Sequence, residues 1–326
     1  MELQRASYEL AGGGRFRPLD QQLNIETSDR ISTFLQEILA RLSAQLTYRV
    51  ATEELGYLLG VHLSHLTLKK YTELIGEKAI KIDPEEVKFK KHESISMQAD
   101  GGRINTLEDG WREVKVGIVA GSKGKKVQMS MICEHEKFMD KYCNFIRENG
   151  YHAHPGIVNF VSDGAKWLQD DFQQRFPKIP QALDYFHFKE HLHETAEEIY
   201  PMEEVEADFW VEKIKSLAYE NKSEEIIDVL TLEWQFQNDE EKRNASESVR
   251  KLGQYLFDNR ERIRYGDFEK KGYEIGSGKV EATIKVQLDR RMKSASSRWR
   301  LQNARKILAL RDLRFNSQWH LLEKAA

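Results

Sequence analysis

The sequence predicts an α/β protein: a mixed sheet, an all-helical insertion late in the chain, and a helical region ahead of both. Three observations carry this. Apolar residues alternate with polar ones between Ser94 and Cys133; two short apolar runs, each with a helical segment before or after it, follow between 137 and 186; and helical periodicity runs almost unbroken from His187 to Arg264. The 326 residues are 32% charged and 40% hydrophobic, a globular composition with a heavily charged surface.

Residues 1–29 are read as an irregular arm, because Gly12-Gly13-Gly14 and Pro18 break any period. The segment 30–80 is helical. Ile31, Phe34, Leu35, Ile38, Leu39 and Leu42 recur at helical spacing, a second helix spans Ala51–Leu59, and Ser64 caps a third running through Leu74. Helix, glycine-containing turn and a helix bearing Lys69 and Lys70 is the layout of a helix-turn-helix, and equally that of a plain helical hairpin.

Residues 94–193 hold the first part of the sheet-bearing core. Ile95, Met97 and Ala99 form a strand expected to end at Asp100-Gly101-Gly102; Val114, Val116 and Ile118 form the next; Val127, Met129, Met131 and Cys133 a third. A helix over Lys137–Glu148, a buried strand over Ile157–Val161 stopping at Ser162-Asp163-Gly164, a helix over Ala165–Phe176 and a strand over Ala182–Phe186 complete the series. Three antiparallel strands, helix, strand, helix, strand is the order of an RNase H-like fold. Residues 194–265 form the helical insertion, and 266–326 return to the core with one long basic helix from about Val280 into Arg314.

Charge is unevenly spread although the net is only −3. From Glu194 to Glu241 sixteen acidic residues face three lysines, whereas Lys279–Arg314 holds eleven Lys or Arg against Glu281, Asp289 and Asp312. An acidic insertion suits a structural or assembly role, and the basic stretch suits a polyanion. Two cysteines, Cys133 and Cys143, supply neither a disulfide framework nor a CxxC site, and no apolar run is long enough to span a membrane. A cytoplasmic protein is expected.

Asp100 and Asp163 each close a strand, and Glu281 follows Gly276-Ser277-Gly278 in the first turn of the last helix. Taken singly, each has an ordinary use: a turn aspartate, a helix cap, a charge at a helix N-terminus. Taken together, carboxylates gathered at strand ends repel one another unless hard cations neutralise them, and two such ions serve in-line phosphoryl displacement.

The blocks Gln98-Ala-Asp100-Gly-Gly-Arg103-Ile104, Val161-Ser-Asp163-Gly-Ala-Lys-Trp167, Leu183-Asp-Tyr-Phe-His187 and Gly272-Tyr-Glu-Ile-Gly-Ser-Gly-Lys-Val-Glu281-Ala resemble the catalytic blocks of DDE-type insertion-sequence transposases of the ISKra-like and ISLre-like branch. The likeness continues through Arg290-Arg-Met-Lys293, Arg298-Trp299 and Ala304–Arg311, covering the chain from Ser94 to Trp319 in order.

This resemblance implies metal-dependent cleavage at element ends and strand transfer into target DNA, with two Mg²⁺, replaceable by Mn²⁺, on Asp100, Asp163 and Glu281. Asp184 and His187 match a D-x-x-H element of related transposases and join the catalytic set. Lys285, Arg290, Arg291, Lys293, Arg298, Trp299, Arg300 and Arg305 are the expected contacts to double-stranded DNA. A homo-oligomer associated with the nucleoid is also implied. Many relatives carry a cysteine-rich zinc segment at the N-terminus, and here no cysteine precedes Cys133.

Two other readings stand beside it. A transposase-derived protein could bind DNA without cutting it. His187-Phe-Lys-Glu190-His191 also fits H-x-x-E-H, in which two histidines hold zinc and the glutamate activates water.

Overall fold

A computed structural model describes residues 7–10, 12, 15–18, 31–236, 243–293 and 297–324. Most of the irregular arm therefore lies outside the described residues; within it, Tyr8–Glu9 (β1) pairs antiparallel with Arg15–Phe16 (β2). The chain divides into two compact units, one of Met1–Asp83, Asn105–Gly110 and Asp289–Ala326, the other of Pro84–Ile104 and Trp111–Leu288.

In the first unit, α1 (Thr33–Ser43), α2 (Tyr48–Leu59) and α3 (His65–Ala79) enclose Leu39, Ala51, Leu55, Leu68 and Tyr71. The caps are those the sequence supplies: the hydroxyls of Ser32, Thr47 and Ser64 each accept an amide three residues on, and Gly60, at φ 64°, ends α2. A late helix, Leu301–Phe315, packs along α3. There a Cβ on Gly76 would fall 2.6 Å from Lys306 Cβ, and Lys306 Nζ reaches Glu77 at 2.5 Å.

The second unit is built on a five-stranded mixed sheet of β3 (Ile95–Thr106), β4 (Gly110–Gly121), β5 (Lys126–Met131), β6 (Val158–Ser162) and β7 (Gln181–Leu183), in the order β5-β4-β3-β6-β7. β5 runs antiparallel to β4, whereas β3, β6 and β7 are parallel neighbours. Such parallel strands need crossovers, supplied by α4 (His135–Glu148) between β5 and β6 and α5 (Lys166–Arg175) between β6 and β7.

Odd-numbered residues of β3 and β4 and even-numbered residues of β6 turn to one face, where Met97, Ala99, Val119 and Phe160 meet Phe138, Tyr142 and Phe172 of α4 and α5. Tyr142 is wholly buried, and its hydroxyl donates to the Gln98 and Ile118 carbonyls. No Cβ fits at Gly117, which would lie 2.7 Å from the Tyr142 ring.

On the opposite face, α6 (Tyr185–Ile199), α7 (Glu204–Tyr219), α8 (Ser223–Phe236), α9 (Arg243–Asp258) and α10 (Tyr265–Lys270) share one core with Val161, Ala182 and Leu183. The helical insertion thus continues the sheet's own core. Its last stretch is bonded to the strand ends: the buried Arg262 guanidinium donates to Ser162 Oγ at 2.8 Å and to Asn259 Oδ1 at 2.7 Å, and its carbonyl accepts from Leu183.

Three expectations change, the first being that the strand expected over Ala182–Phe186 ends at Leu183, with Tyr185 and Phe186 already in α6. β3 does not stop at Asp100 but runs through Gly101 and Gly102 to Thr106; the second glycine suits a close approach rather than a turn, since a Cβ there would meet Leu288 at 2.4 Å and Ile284 at 3.1 Å. The final basic segment is not one helix. α11 (Gly278–Ile284) passes into a π turn over Lys285–Asp289, and α12 (Leu301–Phe315) starts only after Trp299 bridges to Thr106 as an extended residue. Residues 266–326 accordingly part at Leu288, with Asp289 onward belonging to the first unit. A short α13 (Leu321–Lys324) ends the described chain. No helix is long and apolar enough to cross a membrane among the described residues.

Candidate metal and phosphoryl-transfer site

Sheet register places the acids. The last recorded β3–β6 pair is Gln98↔Val161, an offset of 63, which equals 163 − 100. The last β6–β7 pair is Ser162↔Leu183, an offset of 21, which equals 184 − 163, and the Asp184 amide still donates to the Ser162 carbonyl at 2.9 Å. Residues level in a parallel register share a face, so Asp100, Asp163 and Asp184 continue one row across three neighbouring strands, Asp100 within β3 and the other two just past the ends of β6 and β7. After β6 and β7 the chain leaves here for α5 and α6, whereas β3 continues.

Each member is held differently. Asp163 is half-buried; its Oδ1 accepts the Ala165 amide at 3.0 Å, its carbonyl accepts the Tyr255 hydroxyl at 2.9 Å, and Gly164 turns the chain at φ 87°. Asp100 Oδ1 accepts the Gly101 amide at 2.6 Å. Burial, opposed by that hydrogen bond and by His187 but reinforced by the charges of Asp163 and Glu281, pushes the Asp100 carboxyl up to about 6. Charges that act on one another in this way belong to one electrostatic site.

Asp184 is fully buried and caps α6, with Oδ2 accepting the His187 amide at 3.0 Å and lying 2.8 Å from His187 Nδ1, while Oδ1 accepts the Ser277 amide at 2.7 Å. Burial alone would raise this carboxyl, but the hydrogen bonds from the His187 ring, the Ser277 amide and the His187 amide hold it below the usual range. The bond to Asp184 in turn lifts His187 to about 9 against the cost of burial, with Asp163 and Asp100 adding to the shift. The ring is therefore cationic at neutral pH and faces an acidic cluster.

Glu281 reaches this face on α11. Val280 N–H donates to Gln98 Oε1 at 3.0 Å, Gln98 Nε2 donates to the Gly276 carbonyl at 3.2 Å, and the Lys126 ammonium donates to Thr283 Oγ1 at 2.7 Å. Asn159, one strand over, exchanges two hydrogen bonds with the Glu274 backbone. The exposed Glu281 carboxylate accepts the Ser277 hydroxyl at 2.6 Å.

Ligand atoms of Asp184, His187 and Glu281 lie within 4.8 Å of one another, the one group of three acids, histidines or cysteines so placed among the described residues. It differs from the set expected from sequence. Asp184 is closed to solvent with both oxygens already accepting, and the His187 ring is tied to one of them, so these two are placed as supports. Asp100, Asp163 and Glu281 are the carboxylates with accessible surface on this face. Oxygen donors alone would suit a hard divalent cation, but in this structure the ligand atoms of these three do not form a group within 4.8 Å as those of Asp184, His187 and Glu281 do. His191, one turn beyond His187, meets the Tyr255 ring edge-on at 4.8 Å and faces Glu194 at 3.5 Å, and among the described residues no group of three ligands includes both histidines, as zinc chemistry would need.

The expected DNA contacts fall into two groups. Lys285, Arg290, Lys293, Arg298, Arg300 and Arg305 are exposed, Lys293 pairing with Asp289 at 2.9 Å. Arg291 and Trp299 are buried, which corrects their assignment to a phosphate-facing surface. The Arg291 guanidinium donates to the Ser43 carbonyl at 3.1 Å and lies against the Tyr48 and Trp299 rings, and Trp299 Nε1 donates to the Met292 carbonyl at 3.0 Å. A guanidinium so packed is a structural tie. Sequence reading also missed Gln98, Asn159, Tyr255 and Ser277 as supports, because each acts through a partner distant in the chain.

Gly164→Ala is expected to destabilise the chain by about 2 kcal/mol and to slow any reaction at Asp163. The φ of 87° strains an L side chain, and its Cβ would stand 2.8 Å from Leu183 Cδ1 and 2.9 Å from the Tyr255 hydroxyl. Thermal melting checks it; an unchanged midpoint contradicts it.

No protein-family model and no curated protein sequence matches the chain. Among solved structures, the Drosophila P element transposase strand transfer complex aligns with 94% of this chain and 84% of that chain, at 10% identity and a TM-score of 0.35. Similarity of that degree does not by itself establish a common fold.

Proposed function

We propose that the chain is a metal-dependent DNA transposase with an RNase H-like core, in which Asp100, Asp163 and Glu281 hold two divalent cations, Mg²⁺ or Mn²⁺. The observation that carries this is the shared register of Asp100 and Asp163 on neighbouring parallel strands, with Glu281 delivered to the same face and coupled electrostatically to Asp100. When bound, such ions activate an attacking oxygen and stabilise the leaving one in an in-line displacement.

The chain's own residues supply the rest. Asp163 and Asp100 orient their carboxylates through bonds from the Ala165 and Gly101 amides. The His187 cation, fixed by Asp184, faces the place where a scissile phosphate would carry negative charge. The exposed Lys285, Arg290, Lys293, Arg298, Arg300 and Arg305 would receive the phosphate backbone, and the α2–α3 pair, with Lys69 and Lys70, would add a helix-turn-helix contact. The acidic insertion, 194–265, would be a scaffold between the two parts of the core, 94–193 and 266 onward. Cleavage of element ends, strand transfer into double-stranded DNA, a homo-oligomeric assembly on paired ends and membership of the ISKra-like and ISLre-like branch belong to the same proposal.

A nicking assay with supercoiled plasmid carrying the element's ends and Mg²⁺ tests it. Metal-dependent cleavage by the wild-type chain is expected; binding without cleavage favours the non-cutting alternative. The basic residues offer a separate check. Arg298→Ala with Arg300→Ala should weaken DNA binding at 50 mM salt by about tenfold or more and lower the salt slope by about 2. Arg291→Ala should instead lower the melting temperature, because a buried carbonyl loses its donor and two rings lose their packing. Equal DNA-binding losses without destabilisation for Arg291→Ala would contradict this division.

A further inference from the structure

Between the D-x-x-H element and the glutamate-bearing helix runs an unbroken series of hydrogen bonds. His187 Nδ1 meets Asp184 Oδ2 at 2.8 Å, Asp184 Oδ1 accepts the Ser277 amide at 2.7 Å, and the Ser277 hydroxyl donates to Glu281 Oε1 at 2.6 Å. Ser277 is the only member of this series that bonds in two directions through two different groups, backbone on one side and hydroxyl on the other. It is buried, at 3% exposure, whereas the Glu281 side chain it holds is exposed.

An exposed glutamate has three rotatable side-chain bonds and, left free, samples many rotamers; holding it in one costs entropy that is lost again whenever it must bind. A charge-assisted hydroxyl-to-carboxylate bond of this length is among the stronger hydrogen bonds available. The serine is itself fixed, because its amide is taken by a buried carboxylate. Its flanking glycines leave the segment close to the strands, with the Gly276 carbonyl taken by Gln98 and a Cβ at Gly276 placed 3.3 Å from the Phe186 ring.

We infer that Ser277 is a positioning residue: its hydroxyl presets the Glu281 carboxylate toward the aspartates and, through Asp184, keeps that carboxylate in register with His187. This rests on the proposed role of Glu281 as a cation ligand. By donating to Glu281, Ser277 acts as a residue that orients a ligand. Loss of such an outer partner typically weakens metal binding by about 10–100-fold.

The test is Mn²⁺ titration of the 326-residue chain, followed by electron paramagnetic resonance, with Ser277→Ala, Glu281→Ala, the double variant and Asp163→Asn compared with wild type. Ser277→Ala should weaken Mn²⁺ binding about tenfold with a melting temperature close to wild type. In the Glu281→Ala background the same change should leave the affinity within about twofold, because the hydroxyl then has no carboxylate to hold. A general structural role for Ser277 would instead weaken binding equally in both backgrounds, and that result overturns the inference, as does a Ser277→Ala affinity equal to wild type. Asp163→Asn separates the two levels: if it leaves Mn²⁺ affinity unchanged, the proposed metal site is wrong and the inference falls with it; if it lowers affinity while Ser277→Ala does not, the site stands and the serine's role alone fails.

Discussion

Asp163→Asn, and separately Asp100→Asn, should reduce Mg²⁺-dependent cleavage on the order of a thousandfold or more, about 4 kcal/mol of transition-state stabilisation, while the chain remains folded. The amide keeps the size of the side chain and one acceptor oxygen but removes the charge that a hard cation needs. The two variants should differ in one respect. Asp100 is raised to about 6 by burial and by its acidic neighbours, so in the metal-free chain its ionised form opposes folding. A carboxyl whose folded pKa exceeds its unfolded value contributes stability at low pH, and that contribution is lost as pH rises through about 6.

In the presence of EDTA, Asp100→Asn should therefore be more stable than wild type by about 1–2 kcal/mol at pH 7–8. The figure is discounted for partial exposure, and the difference should shrink toward pH 4. Urea unfolding at several pH values measures this. A variant less stable than wild type at pH 8 would contradict the electrostatic account of the site, and retained cleavage in either variant would contradict the assignment of ligands.

Asp184→Ala should have the largest effect on stability of any single change near the site, about 3 kcal/mol, which for a unit the size of the second one corresponds to a fall in Tm of roughly 6–12 °C. The change removes the cap of α6 and strands the Ser277 and His187 amides beside a fully buried position. It also leaves the His187 ring without the partner that holds it cationic, so cleavage should fall even at temperatures where the variant is folded. Asp184→Asn keeps one acceptor and should lose less stability than alanine. If alanine and asparagine melt alike and near wild type, Asp184 is not the support described above.

The strand series was legible because its signals are local. Alternation of Ile95, Met97 and Ala99, the apolar run ending at Ser162, and hydroxyl caps at Ser64 and its fellows each depend on neighbours a few residues away. The parallel register that brings Asp100 level with Asp163 is not local: each follows a legible apolar run, but the offset between the two strands is set by their pairing. Three features were hidden. Gly101-Gly102 reads as a turn, but what settles it is Leu288 and Ile284 lying over the strand from nearly two hundred residues away. The basic run reads as one helix by charge and length, but Trp299 is drawn into an extended bridge with Thr106, which no period reveals. Arg291 resembles its neighbour Arg290 in sequence and is told apart only by burial, where the Ser43 carbonyl and two aromatic rings receive it. Ser277 stood in view within a Gly-Ser-Gly segment, but its meaning comes from Asp184, ninety-three positions earlier (277 − 184), and from Glu281 one helical turn on.

Crystals of the chain soaked in Mn²⁺ and measured for anomalous scattering probe the central assignment most directly. Manganese is expected at about 2.1 Å from carboxylate oxygens of Asp100, Asp163 and Glu281, with His187 still bonded to Asp184. Manganese bound by Asp184, His187 and Glu281 with Asp100 and Asp163 left out, or no ordered ion on this face of the sheet, would contradict it.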